Sequence, residues 1–164
     1  MVTQQGSLDL LDDPVAQQLL NSGLPGSLSY VWTDGTPRVV PIGMYWTGSE
    51  FFIGTNPDSP KMDALETGAR VALSIATDTF PYKVLLVRGS VRVDTYPGIA
   101  PEYEEMPKLL LGPEGSAAWL ANMRPMTPEM STLYVSPGWV GILDFERRFP
   151  SAVERAMERA QAQV

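Results

Sequence analysis

The 164-residue sequence contains no cysteine and no histidine. Without cysteine there is no disulfide, no thiolate nucleophile and no cysteine-ligated zinc. Without histidine a Ser-His-Asp triad and an HExxH zinc site are impossible, and the commonest general base and metal ligand are missing. Positive charge is scarce too: 12 Lys and Arg stand against 19 Asp and Glu, a net charge of −7. Such a surface repels phosphate backbones, so nucleic acid is not an expected partner. No apolar run approaches the roughly 20 residues that a membrane-spanning helix needs. The opening residues lack the basic and apolar regions of a secretion signal, so a cytoplasmic location without membrane attachment is expected. A metal site is not expected, because Glu102, Glu104 and Glu105 read as one solvated helix face rather than converging carboxylates.

The length suits a single domain over 1–164, large enough to hold a core without covalent staples. A helix is expected over 14–21, closed by Gly23 and Pro25-Gly26. Strands are expected over 28–33, 37–47 and 50–56, with turns at Asp34-Gly35 and Gly48-Ser49. A helix over 59–67 ends at Gly68. Strands over 70–77 and 83–94 follow, each with alternating apolar residues. Helices over 97–111 and 113–124 come next. Strands over 130–136 and 139–145 flank a turn at Pro137-Gly138, and a helix over 152–162 ends the chain. Strands joined by tight turns pair antiparallel. Six or seven of them favour closure, because closure removes exposed edges. The expected fold is mainly β with peripheral helices, a six- to seven-stranded antiparallel barrel. Four Trp and eight Met supply more apolar surface than a minimal monomer needs; pairing of two chains or a large core would bury it.

The most informative stretch is Gly54 to Lys61, which leaves a strand and enters a helix. Ser59 suits an N-cap and Pro60 the first helical position. Lys61 is a cation in a first turn, where cations are disfavoured unless an anion is bound. Two readings follow. The segment is an ordinary helix start, or it holds a phosphate with Lys61, Thr55, Asn56 and Ser59. Upstream, Arg38, Val39, Val40 and Pro41 lie on a strand expected beside the one ending at Thr55, with backbone groups available to a flat ring. Pro41 leaves a gap in the ladder, the mark of an edge or bulge.

Together these residues resemble the pyridoxamine 5′-phosphate oxidase-like family of FMN-binding split barrels. The resemblance rests on Arg38, Val40, Thr55, Asn56, Ser59, Lys61 and Leu65, on the strand from Arg70 to Ile75, and on Val87-Arg88-Gly89. It runs from about residue 35 to 93, and the tail after Trp139 looks like an uncharacterised actinobacterial-type branch. It implies a homodimeric split β-barrel with a flavin mononucleotide at the interface and a small-molecule substrate or electron acceptor. It also implies cofactor contacts from Arg38, Val39, Val40 and Pro41 to the ring, and from Thr55, Asn56, Ser59 and Lys61 to the phosphate. Lys83 and Trp139 are further candidates: Lys83 as a flavin contact across the dimer or a solvated strand end, Trp139 as a pocket wall or an interface residue. Three departures matter, the first being that the strand from Lys83 to Gly89 lacks the Gln that contacts the flavin in true pyridoxamine phosphate oxidases. Pro60 stands where the family often has Arg, and the His that holds pyridoxal phosphate is absent, so pyridoxamine phosphate is not the expected substrate. The deazaflavin F420 is the alternative cofactor, and a non-catalytic flavin-binding barrel the alternative role. No side chain is singled out as a catalytic acid or base. Arg88 shares a face with Val84, Leu86 and Ser90; read as buried, it needs a carboxylate or a ligand anion.

Overall fold

The computed structural model describes residues 4–162. A short 3₁₀ turn over Leu8–Asp12 leads into α1, Pro14–Leu20. Asp13 caps α1 by accepting from the Val15 N–H at 2.9 Å, and Pro14 fills the first position, where its missing N–H is not needed. The strands are β1 (Gly26–Val31), β2 (Pro37–Ile42), β3 (Tyr45–Trp46), β4 (Phe51–Thr55), β5 (Arg70–Ala76), β6 (Lys83–Pro97) and β7 (Glu129–Asp144). All seven join one antiparallel sheet in the order β2-β1-β5-β6-β7-β4-β3. The two ends of that order, β2 and β3, are joined by only Gly43 and Met44. The sheet must therefore roll until its ends meet, which makes it a barrel.

Alternation fills the barrel. Val71, Leu73 and Ile75 of β5 and Leu85, Val87 and Val91 of β6 point inward with Leu28, Tyr30, Leu133, Val135, Val140 and Ile142. Leu10, Leu11, Ala16, Leu19 and Leu20, from the first turn and α1, join the same core. β4 is buried on both faces. Phe51 and Ile53 enter the barrel, while Phe52 enters a second core with Ile99, Ala100, Leu120 and Met130. Each such side chain contributes roughly 1.5–3 kcal/mol on burial. The second core is roofed by α2, Pro101–Met123, which breaks at Gly112, where φ is +68° and only glycine is comfortable. α3, Ser151–Gln161, buries none of its residues.

Four expected elements differ. The 37–47 strand is two strands, because Gly43 and Met44 carry the chain across the barrel seam. The 59–67 helix is a four-residue 3₁₀ turn, Pro60–Asp63, in which Ser59 makes no side-chain cap bond; Ser59 Oγ is instead taken by Lys61 Nζ, and Met62, Ala64 and Leu65 pack on the barrel core from this short turn and the residues that follow it. The Pro137-Gly138 turn does not form. β7 runs straight through, since it pairs with β6 from Lys83↔Asp144 to Pro97↔Glu129 and takes up its extra residue as a bulge at Arg88/Gly89. The helix expected from 97 begins at Pro101, because β6 extends to Pro97.

Candidate functional site

In an antiparallel sheet, residues directly opposite one another share a face. The register gives one continuous row across five strands: Val39, Ser29, Ala72, Arg88, Trp139. None of these points into the core. They cross the outside of the barrel and form the middle of an open groove of about 1300 Å³. The floor is made of small side chains, Ser29 and Ala72, so a flat body can approach the backbone. Arg88 and Trp139 stand at one end and Val39 at the other.

The bulge builds the Arg88–Trp139 end. Arg88 lies opposite Trp139, but Gly89 lies opposite Pro137, so Gly138 is left without a partner. A bulge bends its strand and increases local twist. The Arg88 guanidinium stacks over the indole with its carbon 4.1 Å from the ring centroid, an arrangement worth about 0.5–1 kcal/mol at an exposed site. Glycines make room around it. A Cβ on Gly89 would collide with the carbonyl oxygen of Ser136, and one on Gly141 would sit 2.5 Å from the far edge of the Trp139 ring. Arg88 is exposed and makes no ion pair among the described residues. The expectation of a buried Arg88 is thus corrected. The grouping with Val84, Leu86 and Ser90 holds, but that face turns outward.

The β2 end carries Arg38, 4.0 Å from Asp34 and 5.6 Å above the Trp32 ring. Asp34 makes the hairpin turn, accepting from the Thr36 N–H at 2.9 Å and its hydroxyl at 2.5 Å. Those bonds hold its carboxyl below the ordinary value. β2 is an end strand paired only with β1, so one side of its backbone is free. It does not lie beside β4, as expected, because β1 is its only ladder partner and β4 pairs with β3 and β7. Val39 and Pro41 face outward, whereas Val40 packs against the core.

Thr55, Asn56, Ser59 and Lys61 are brought onto one turn. The Asn56 side chain accepts from the Asp58 N–H at 2.8 Å, and the Ser59 N–H donates to the Asn56 carbonyl at 3.0 Å. Lys61 Nζ donates to Ser59 Oγ at 2.7 Å. Lys61 is half-buried, and burial pushes its pKa below the ordinary 10.5. A four-residue 3₁₀ turn has little dipole to offer, so any anion here would be held by the Lys61 charge. A smaller recess of about 500 Å³ runs beside this turn, between 31–33 and 62–66. It meets the groove at Val31, and Gly68 just beyond it lines the groove itself. Asp63 and Glu66 also border the recess and oppose an anion there. Lys83 stands apart. It pairs opposite Asp144, five residues along β6 from Arg88, and its Nζ donates to Gln18 Oε1 at 3.1 Å.

Arg70 is the site residue that the sequence reading missed. It lies opposite Ser90 on the groove side of β5 and lines the groove with Arg88 and Arg38. The signal was available: the alternation that puts Val71, Leu73 and Ile75 inside places Arg70, Ala72 and Ser74 outside.

No family profile matches the chain, and no curated protein matches it. Solved structures do. An F420 reductase shares 24% identity over 76% of this chain and 94% of its own, with a TM-score of 0.57. An FAD and heme binding protein from Mycobacterium smegmatis shares 22% over 93% and 78%, at 0.58. A pyridoxamine 5′-phosphate oxidase-type protein from Listeria innocua shares 15% over 77% and 94%, at 0.55. The fold is therefore that of the pyridoxamine 5′-phosphate oxidase-like split barrels.

Proposed function

We propose that the chain is an FMN-binding oxidoreductase whose flavin lies along the outer groove between two copies of the chain. The observation that supports this most directly is the row from Val39 to Trp139. It offers a trough with a small-residue floor, an aromatic and cationic wall, and an unpaired strand edge. Its volume accommodates a cofactor-sized ligand. Bound there, a flavin would supply hydride and single-electron chemistry that no side chain of this protein has.

The roles of the protein are to bind and orient. The free edge of β2 from Arg38 to Pro41 offers N–H and C=O groups to a ring's polar rim. Val39 covers one face of the trough. Lys61, on the turn beside the recess, would supply the charge that takes the phosphate, with Thr55, Asn56 and Ser59 on the same turn. Arg88 and Arg38 bring positive charge to the trough, which favours an anionic reduced ring. Pairing of two chains across this face would cover Val31 and Val39, which are 58% and 66% exposed, and would shield the ligand from water. Sedimentation at micromolar concentration is expected to give a dimer. A monomer near 18.0 kDa that binds flavin refutes the pairing.

A deazaflavin is the second reading. Three arginines line the groove and no carboxylate does, which suits a cofactor with an acidic tail. The visible spectrum of the freshly purified protein tests both. Two visible-region bands are expected for FMN and one for F420. A protein that stays colourless after incubation with either refutes the cofactor reading.

A further inference from the structure

β7 has two edges, and the second changes partner along the strand. β6 takes the first edge from Glu129 to Asp144. β4 takes the second only from Ser131 to Val135. Further along, the N-terminal segment takes over. The Gly6 N–H donates to the Val140 carbonyl at 2.7 Å. The Gln5 side chain accepts from the Ile142 N–H at 2.9 Å and donates to the Ile142 carbonyl at 2.6 Å. One side-chain amide thus meets both backbone groups of Ile142, as a residue of a neighbouring strand would. The barrel does not need this contact to close, because β6 and β4 already hold β7 and Gln5 is exposed.

The same two residues reach the groove wall. Val140 and Ile142 point into the core, so Trp139 and Gly141 share the outer face. The indole is held at both edges and on one face. Its benzene edge lies against Gly141, where a Cβ would come within 2.5 Å of the ring and 3.1 Å of Gln5 Oε1. Its pyrrole edge lies against Gly6, where φ is +100° and a Cβ would stand 2.9 Å from Trp139 Nε1. Only glycine permits both that backbone and that approach. Arg88 covers a face at 4.1 Å. Gly141 and Arg88 belong to the strands that carry the wall. Gly6 is brought from the other end of the chain, and the Gln5–Ile142 pair that anchors it spans 137 positions.

We propose that Gln5 and Gly6 are positioning residues: they form a strap that fixes the Trp139 indole, so that the groove holds a ligand firmly only while the strap is docked. This role rests on the groove being the cofactor site, but the hold on Trp139 is measured without any ligand. The coupling must run both ways. A ligand that packs on the fixed indole also favours the docked strap.

Gln5→Ala removes both bonds to Ile142. Gln5 is exposed, so the variant is expected to melt close to wild type. In the ligand-free protein, tryptophan emission should shift and its anisotropy fall in Gln5→Ala and in Gly6→Ala. Neither change should appear in a Trp139→Phe background, although Trp32, Trp46 and Trp119 remain. Gln5→Ala should weaken FMN binding about three- to tenfold, the range for loss of one aromatic packing contact, and should cost nothing further in the Trp139→Phe background. Exchange of the Ile142 amide should quicken in Gln5→Ala and slow when FMN is added to wild type. A strap that only stabilises the fold would lower the melting temperature and leave FMN affinity unmoved, which overturns the proposal. So does unchanged emission in both variants, or a shift that survives in the Trp139→Phe background. A wild type that binds no FMN refutes the cofactor reading instead, and the emission measurements alone then decide the strap.

Discussion

Replacing Lys61 by alanine tests the phosphate end of the proposed site. In the free protein Lys61 is half-buried, donates to Ser59 Oγ at 2.7 Å and makes no ion pair among the described residues. Burial depresses its pKa from 10.5, so the folded state binds that proton less readily than the unfolded chain does. Stability should therefore rise, not fall, as pH climbs through the window between the depressed value and 10.5. Removing the charge should leave the ligand-free melting temperature unchanged or slightly higher. With a phosphate bound the balance reverses. A hydrogen bond to a charged group contributes about 1.5–3 kcal/mol, so Lys61→Ala should weaken FMN about ten- to hundred-fold. Riboflavin has no phosphate, and its affinity should not move. Only the protonated lysine attracts phosphate, so FMN affinity should decline as pH rises through the depressed pKa while riboflavin affinity stays level. Fluorescence titration of both ligands with both proteins measures all of this. Equal loss for the two ligands would mean a folding defect, and no loss for either would leave 59–61 as a plain turn; each result refutes the reasoning.

Three further outcomes are expected. Gly89→Ala drives a Cβ into the Ser136 carbonyl at the bulge and should cost about 1–3 kcal/mol, read as a lower denaturant midpoint; an unmoved midpoint refutes the tight β6–β7 approach. Gly141→Ala puts a methyl 2.5 Å from the Trp139 ring, so it should displace the indole from Arg88, shift tryptophan emission and weaken cofactor binding; unaltered emission and affinity refute the stack as a wall of the site. Asp34, held below 3.8 by its bonds to Thr36, stabilises the hairpin above the unfolded-state pKa. That contribution is lost as pH falls through the lower folded value. Carboxyl chemical shifts should titrate below 3.8 in wild type, and Thr36→Val should bring the midpoint back up; a midpoint that does not move refutes the Thr36 contact.

Local signals served well where the cause of structure is local. Asp34-Gly35 and Gly48-Ser49 turn the chain as expected, with φ of +82° and +100° at the glycines. Alternation placed Val71, Leu73 and Ile75 in the core. Gly112 broke the long helix. The larger failure came from a distant partner that outvoted a local cue. Pro137-Gly138 carries a strong turn signal, yet β6 offers a ladder for the whole of β7, and the dipeptide became a bulge. Ser59-Pro60 opens a helix on paper, but the Ser59 hydroxyl accepts from Lys61 and caps nothing, and the chain makes only a four-residue 3₁₀ turn. The site was legible in pieces. Val39 and Trp139 were singled out separately, and only the register of β1, β5 and β6 between them shows that they share one row. Arg88 was grouped with the right neighbours but assigned to the wrong side, because alternation fixes which residues share a face and not which face meets water. Arg70 opened a strand that carried the resemblance, but it was read as part of the strand pattern and not as a site residue, although the same alternation that buries its neighbours turns it outward.

The place of β4 in the sheet has a consequence for how the protein is made. Phe51, Phe52 and Ile53 are wholly buried, yet the ladder that covers them pairs Phe51 with Val135 and Ile53 with Leu133. On a ribosome adding about 5–20 residues per second, that apolar triplet waits several seconds for its partner strand to be synthesised. β1 and β2 can pair early, but the barrel cannot close until β7 emerges. A nascent chain halted before β7 carries an uncovered Phe-Phe-Ile strand, the kind of segment that chaperones recognise and that aggregates when they are absent. Truncation anywhere before residue 129 therefore removes more than the last strand, because it strips β4 of its β7 ladder and leaves the barrel open between β4 and β6.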